Sequence, residues 1–111
     1  MRHSTTTATK AQQARFARLK DMGCICCWNH DAVRQDAEIH HIVQGFKRLG
    51  HDFTIPLCRW HHQGHPPPHL DVREMTQLCG PSLARSKRAF VAMFGTELAL
   101  LETVNAVLER R

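Results

Sequence analysis

Apolar and polar positions change rhythm several times along the chain, and each change predicts an element. Residues 1–8 are polar and Thr-rich, carry nothing to bury, and are expected to form a disordered tail. "TKAQQARFARLKDM", from Thr9 to Met22, is rich in helix formers, with Phe16 and Leu19 on one side and Gly23 suited to the end. "WNHDAVRQD" (28–36) reads as a loop and "AEIHHIV" (37–43) as a short strand. "QGFKRLGHD" is a basic turn with two glycines, and "FTI" a second short strand. Pro56 fits the first turn of a helix capped by Thr54 or Ile55, so "PLCRWHHQ" is expected to be a helix of about two turns that Gly64 stops. After Pro66, Pro67 and Pro68, "LDVREMTQLCG" and "SLARSKRAFVAMFG" read as helices ending at Gly80 and Gly95. The last helix has Thr96 as its N-cap, Glu97 behind it, and an apolar stripe of Leu98, Leu101, Val104 and Leu108. The order predicts an α+β domain over 9–111, built around a small hairpin, with C-terminal helices over about 71–111.

Composition narrows the classes. At 111 residues the core is modest, and a metal or disulfide would help to hold it. Five cysteines is an odd number, and three crowd into "CICC", so metal ligation is favoured over a disulfide framework. No apolar run is long enough to span a bilayer, and the start lacks the apolar stretch of a signal peptide, which together predict a cytoplasmic protein with no membrane partner. The net charge of +5 suits a polyanionic partner, while 6% aromatic residues and no Tyr argue against a platform of stacked bases.

Cys24-x2-Cys27 and Cys58-x2-His61 together make a Cys3His set. A two-residue gap lets a turn present two side chains to one ion, and tetrahedral Zn²⁺ takes four such ligands. A structural zinc held by Cys24, Cys27, Cys58 and His61 is the expectation, with Cys24-x-Cys26 an open alternative. The plainer reading of the three crowded cysteines is small buried residues; the matched pair at Cys58 and His61 weighs against it. Cys79, on an amphipathic segment, is expected to be a buried core thiol.

That assignment leaves His40, His41, His51, His62, His65 and His69. In a regular strand His40 and His41 would point to opposite faces, so both serve one site only if the strand ends or bulges there. On the short helix Cys58, His61, His62 and His65 share one broad face. The economical division gives Cys58 and His61 to the structural zinc and leaves His62 to meet His40 across the hairpin. His65 has two open roles, third ligand or phosphate contact.

The cysteine pair, the "HH" of the first strand, "IPLC", and the "HH" that follows resemble the HNH, or ββα-metal, nucleases over about 23–65. More narrowly, "EIHHI", "GHDFTIPLCRWHHQG" and "FGTELALLE" resemble the phage recombination-enhancement nucleases that act with RecA filaments. The resemblance implies a ββα-metal core with a structural zinc knuckle, flanked by an N-terminal helix and the C-terminal helices. It also implies a DNA endonuclease or nickase leaving 3′-hydroxyl and 5′-phosphate ends. By position, His41 would be the general base, and His40 and His62, with His65 as a further candidate, would hold a catalytic divalent ion (Mg²⁺, Mn²⁺ or Zn²⁺). The family's middle Asn is missing; His51 is the choice for orienting His41 or completing the site. RecA filaments as partner are implied by the resemblance alone.

Lys47 and Arg48 in the basic turn and Arg59 on the short helix are the expected phosphate contacts, giving affinity with little sequence readout. A merely solvated basic loop is the plainer reading. The competing function is a non-catalytic zinc module that binds nucleic acid or a protein.

Overall fold

The computed structural model describes residues 7–110, so most of the expected tail lies outside the described residues. Helix α1, Lys10–Met22, begins at a reciprocal cap: the Thr9 side chain accepts from the Gln12 amide while the Gln12 side chain accepts from the Thr9 amide. It ends at Gly23, where φ is +85° and a Cβ would lie 2.8 Å from the Gln35 carbonyl oxygen. Only glycine fits there, and the turn leads directly into the cysteines.

Those cysteines form a helix that the sequence reading missed. Helix α2, Ile25–Asp31, runs through residues assigned in part to a loop, starts from Cys24, and stops where Ala32 turns left-handed. Strand β1, Glu38–His41, pairs antiparallel with β4, Thr54–Leu57, placing His40 opposite Ile55 and His41 opposite Thr54. The expected 37–43 strand breaks at Ile42, whose N–H donates to the Phe53 carbonyl at 3.0 Å. The chain then makes a separate hairpin of β2, Val43–Gln44, and β3, Lys47–Arg48.

Pro56 lies in β4 rather than in a helix. Helix α3, Arg59–Gln63, starts three residues later than expected because the Cys58 sulfur caps it, accepting from the His61 amide. Helix α4 covers Val72–Cys79 and α5 Lys87–Phe94. The α5 start is also later than expected: Ser82 and Ser86 fold the preceding residues into a turn, and the Ser86 side chain caps the helix at Ala89. Helix α6, Glu97–Arg110, begins at the predicted Thr96 cap, which accepts from Ala99. On α6 Leu100 is buried with Leu101, Val104 and Leu108, whereas Leu98, placed on the stripe, is exposed.

The core joins Leu19 of α1, Ile25 of α2, Ile55 and Leu57 of β4, Phe90 of α5 and Val104 of α6. Each such side chain contributes about 1.5–3 kcal/mol by leaving water. Arg15 fastens α1, β4 and α6 together, donating to the Thr54 hydroxyl (3.0 Å) and carbonyl (2.7 Å) and to Asn105 (2.8 Å). The result is a mixed helical and small-sheet fold in which β1, β4 and α3 are packed as neighbours. Among the described residues no single helix is long and apolar enough to cross a membrane.

Candidate metal centre and histidine face

Cys24 precedes α2, Cys27 lies one turn into it, Cys58 caps α3 and His61 lies in that helix. Their ligand atoms all lie within 4.8 Å of one another. The Nδ1 of His61 is 3.5 Å from Cys24 Sγ, 3.6 Å from Cys27 Sγ and 3.2 Å from Cys58 Sγ, and the Cys27 and Cys58 sulfurs are 3.7 Å apart. With metal bonds of about 2.0–2.3 Å, a tetrahedral zinc site has edges of about 3.3–3.8 Å. The donor set therefore fits the ion, and this cluster could hold a structural zinc.

Two further features suit that fit. The His61 Nε2–H donates to the Cys79 carbonyl at 2.9 Å, which leaves Nδ1 as the nitrogen facing the sulfurs. Contact with Cys24 and Cys58 pushes the Cys27 thiol up, while hydrogen bonds from Cys26, Cys27 and Cys58 pull Cys24 down. Sulfurs so crowded cannot all ionise without a cation between them. Cys26 is fully buried in the apolar core and stands outside the converging set. Cys79, expected to be a buried thiol, is only partly buried, and its backbone carbonyl is what meets His61.

Four other histidines, His40, His41, His51 and His62, form two pairs around β1. His40 and His62 have ring centroids 5.1 Å apart, and each is tied to a carboxylate. The His40 Nε2–H donates to Glu97 at 2.6 Å, and the His62 Nδ1–H donates to Glu38 at 2.8 Å. Glu97 is buried at the start of α6, and the His40 hydrogen bond holds its carboxyl below the usual glutamate range, helped by Lys87 at 3.4 Å. Burial works against the Glu38 charge, but hydrogen bonds from His62 and Gln63 outweigh it and hold that carboxyl low as well.

β1 ends at His41, as the one-site reading required, but its register is regular through both histidines and His41 meets partners different from those of His40. The Nε2 of His41 lies 3.0 Å from His51 Nδ1, and Phe16 of α1 meets both rings edge-on at 5.9 and 5.6 Å. Burial, and then the nearby Arg48 charge, lower the His41 pKa; the charges of His51, His40 and His62 act in the same direction. The Thr54 hydroxyl donates to the His51 carbonyl at 2.9 Å and so pins that loop to β4. His65 is placed apart from this group, 3.3 Å from the exposed Arg59. Lys47 and Arg48 project from the small hairpin, exposed.

The model of the family described as recombination enhancement, RecA-dependent nuclease matches residues 8–109. The chain belongs to this family. The match covers the metal centre, the histidine face and the C-terminal helices alike, so the match extends beyond the residues around the two histidine pairs. Glu97 and Glu38 are the partners of His40 and His62 that residue-by-residue reading passed over. Glu38 opens the "EIHHI" stretch, two residues before His40, and its proximity was a usable signal. Glu97 is 57 residues from its histidine, and in sequence it reads only as an acidic residue at a helix start.

Proposed function

We propose that the chain is a metal-dependent endonuclease or nickase of the HNH type that hydrolyses DNA phosphodiester bonds. The observation that carries this reading is the pairing of His40 with His62, each held through one ring nitrogen by a carboxylate, beside a second pair formed by His41 and His51. A carboxylate on one nitrogen fixes the ring and leaves the other nitrogen as a stronger ligand, which is the usual support of a metal-binding histidine. His40 Nδ1 and His62 Nε2 are the atoms left for an ion. A divalent ion bound there supplies positive charge to the phosphorus centre and to the leaving 3′ oxygen.

His41 acts as the general base. In the tautomer that serves this role, His41 Nε2–H donates to His51 Nδ1, 3.0 Å away, and Nδ1 is left to take the proton of the attacking water. His51 thus stands where the family's Asn is usual and orients the base. The lowered pKa keeps His41 neutral, and so able to accept, near neutral pH. Lys47, Arg48 and Arg59 hold phosphates on either side of the scissile bond. The Cys3His zinc fixes α3 and thereby His62. The family's description favours DNA complexed with RecA as the substrate. His65, beside Arg59, is a phosphate contact in this arrangement rather than a ligand.

Zinc-loaded protein incubated with supercoiled plasmid or RecA-coated single strands, with Mg²⁺ or Mn²⁺, is expected to nick or cut. His41→Ala should lower the rate on the order of 10² to 10⁴-fold. Equal cleavage by the variant refutes the assignment of the base. One fact favours the competing non-catalytic module: among the described residues only the Cys3His set converges as a complete ligand group. Tight binding of a single zinc with no cleavage under any of these conditions would establish that module instead.

A further inference from the structure

The β2–β3 hairpin turns on Gly45 and Phe46, both left-handed, with φ of +55° and +70°. Such two-residue turns favour glycine or asparagine, because a side chain with a bulky β-carbon strains against its own backbone when φ is positive. Phe46 is nevertheless here, and its side chain is fully exposed at 105% of the reference area. The other phenylalanines of the chain have partners or partial shelter: Phe90 is in the core, Phe94 packs on His61 and Phe90, Phe16 meets His41 and His51, and Phe53 is partly covered. Phe46 therefore adds backbone strain and an exposed apolar ring while burying nothing, a combination that persists where strain serves a binding surface.

Its surroundings name the ligand. Lys47 and Arg48 follow it directly, both exposed, so any group that lies on the ring is flanked by cations. Arg48 is near enough to His41 for its charge to act there. Phe46 lies five positions after His41, at most about 18 Å of extended chain, or a handful of nucleotide steps at about 3.4 Å each. We propose that Phe46 stacks on an unpaired base of single-stranded DNA a few nucleotides from the phosphate at His41, with Lys47 and Arg48 on the adjoining phosphates. A flat apolar face bracketed by two anions is what a nucleotide offers and what this turn complements. One ring suffices, so the shortage of aromatics that excludes a stacking platform does not exclude this contact. The proposal rests on the nuclease reading only for which phosphate lies nearby.

The test is binding of a labelled single-stranded oligonucleotide to zinc-loaded protein, read by anisotropy without added divalent ion, so that affinity is measured apart from cleavage. Phe46→Ala is expected to bind about tenfold more weakly, Phe46→Trp to restore binding, and Phe46→Leu to fail to restore it. On a strand of the same length lacking bases, wild type and Phe46→Ala should bind alike. All variants should keep the wild-type melting temperature or exceed it, because the ring buries nothing. Unchanged affinity of Phe46→Ala, full rescue by Leu, an equal loss on the base-free strand, or a loss confined to duplex DNA each overturns the proposal. A tenfold loss in a protein that never cleaves would uphold it and refute the nuclease reading.

Discussion

His61 and His62 are neighbours on α3 and serve two regions with opposite physics. His61 is fully buried, one nitrogen faces three sulfurs, and the other is spent on a backbone carbonyl. His62 is half-buried, paired with a carboxylate that is itself partly exposed, and meets a second histidine edge-on. At the knuckle the four candidate ligand atoms, from α2, α3 and their caps, crowd within 4.8 Å of one another, with Cys24, Cys27 and His61 buried and Cys58 partly so. The histidine face is gathered from further apart in the chain: its parts come from β1, the loop before β4, α3 and α6. Four protein ligands on one ion are the pattern of a structural site, whereas a catalytic ion needs a position left for a reactant.

The sharpest way to break that contrast is at the knuckle. Cys58→Ser, or chelation of the ion, should unfold the protein, since zinc binding in such sites is worth roughly 10–16 kcal/mol against a whole-domain stability of about 5–15 kcal/mol. Circular dichroism and metal analysis would record both losses together; a chelated protein that kept its melting curve would count against a structural role. His41→Ala should do the reverse, keeping zinc content and melting temperature while the rate falls. Next in size is Glu97→Gln. It preserves shape but weakens the hold on His40, and a 10- to 100-fold fall in activity or in affinity for the catalytic ion is expected. An unchanged rate would reduce the Glu97–His40 pair to a packing contact.

The smallest effect concerns acid stability. The folded pKa of Glu97 is depressed, so its contribution to stability is fully present above the ordinary glutamate value of about 4.3 and is lost as pH falls through the lowered folded value. Urea midpoints of wild type and Glu97→Gln should therefore converge as pH drops below that range. Taking the difference between the two proteins cancels the acid release of zinc that both share. Midpoints that stayed parallel would mean that the carboxylate charge does not stabilise the fold.

The legible parts of this molecule are those whose chemistry repeats over a few residues. Cys24-x2-Cys27 and Cys58-x2-His61 announce a metal pair because a two-residue gap is a local geometry, and the cap at Thr96 announces a helix start for the same reason. Alternation in a strand sends neighbours to opposite faces, and His40 and His41 accordingly meet different partners. Pro56 misled because the same fixed φ suits a first helical turn and a buried strand, and the Cys58 cap settled which one formed. Leu98 misled because two adjacent apolar stripes on α6 were equally periodic, and packing against α1 and β4 chose the one holding Leu100.

What the sequence determined by itself, then, is the inventory and its local pairing: the crowded cysteines and the Cys58–His61 pair, the doubled histidines, the basic turn. Tertiary structure decided which of three crowded cysteines stand together and that Cys26 is core rather than donor. It brought Glu97 across 57 residues to His40 and set Phe46 alone on a strained turn. The physical reason is range. Spacing along a chain encodes contacts within a turn or a strand, whereas a carboxylate on a distant helix reaches its histidine only after the core has closed around both.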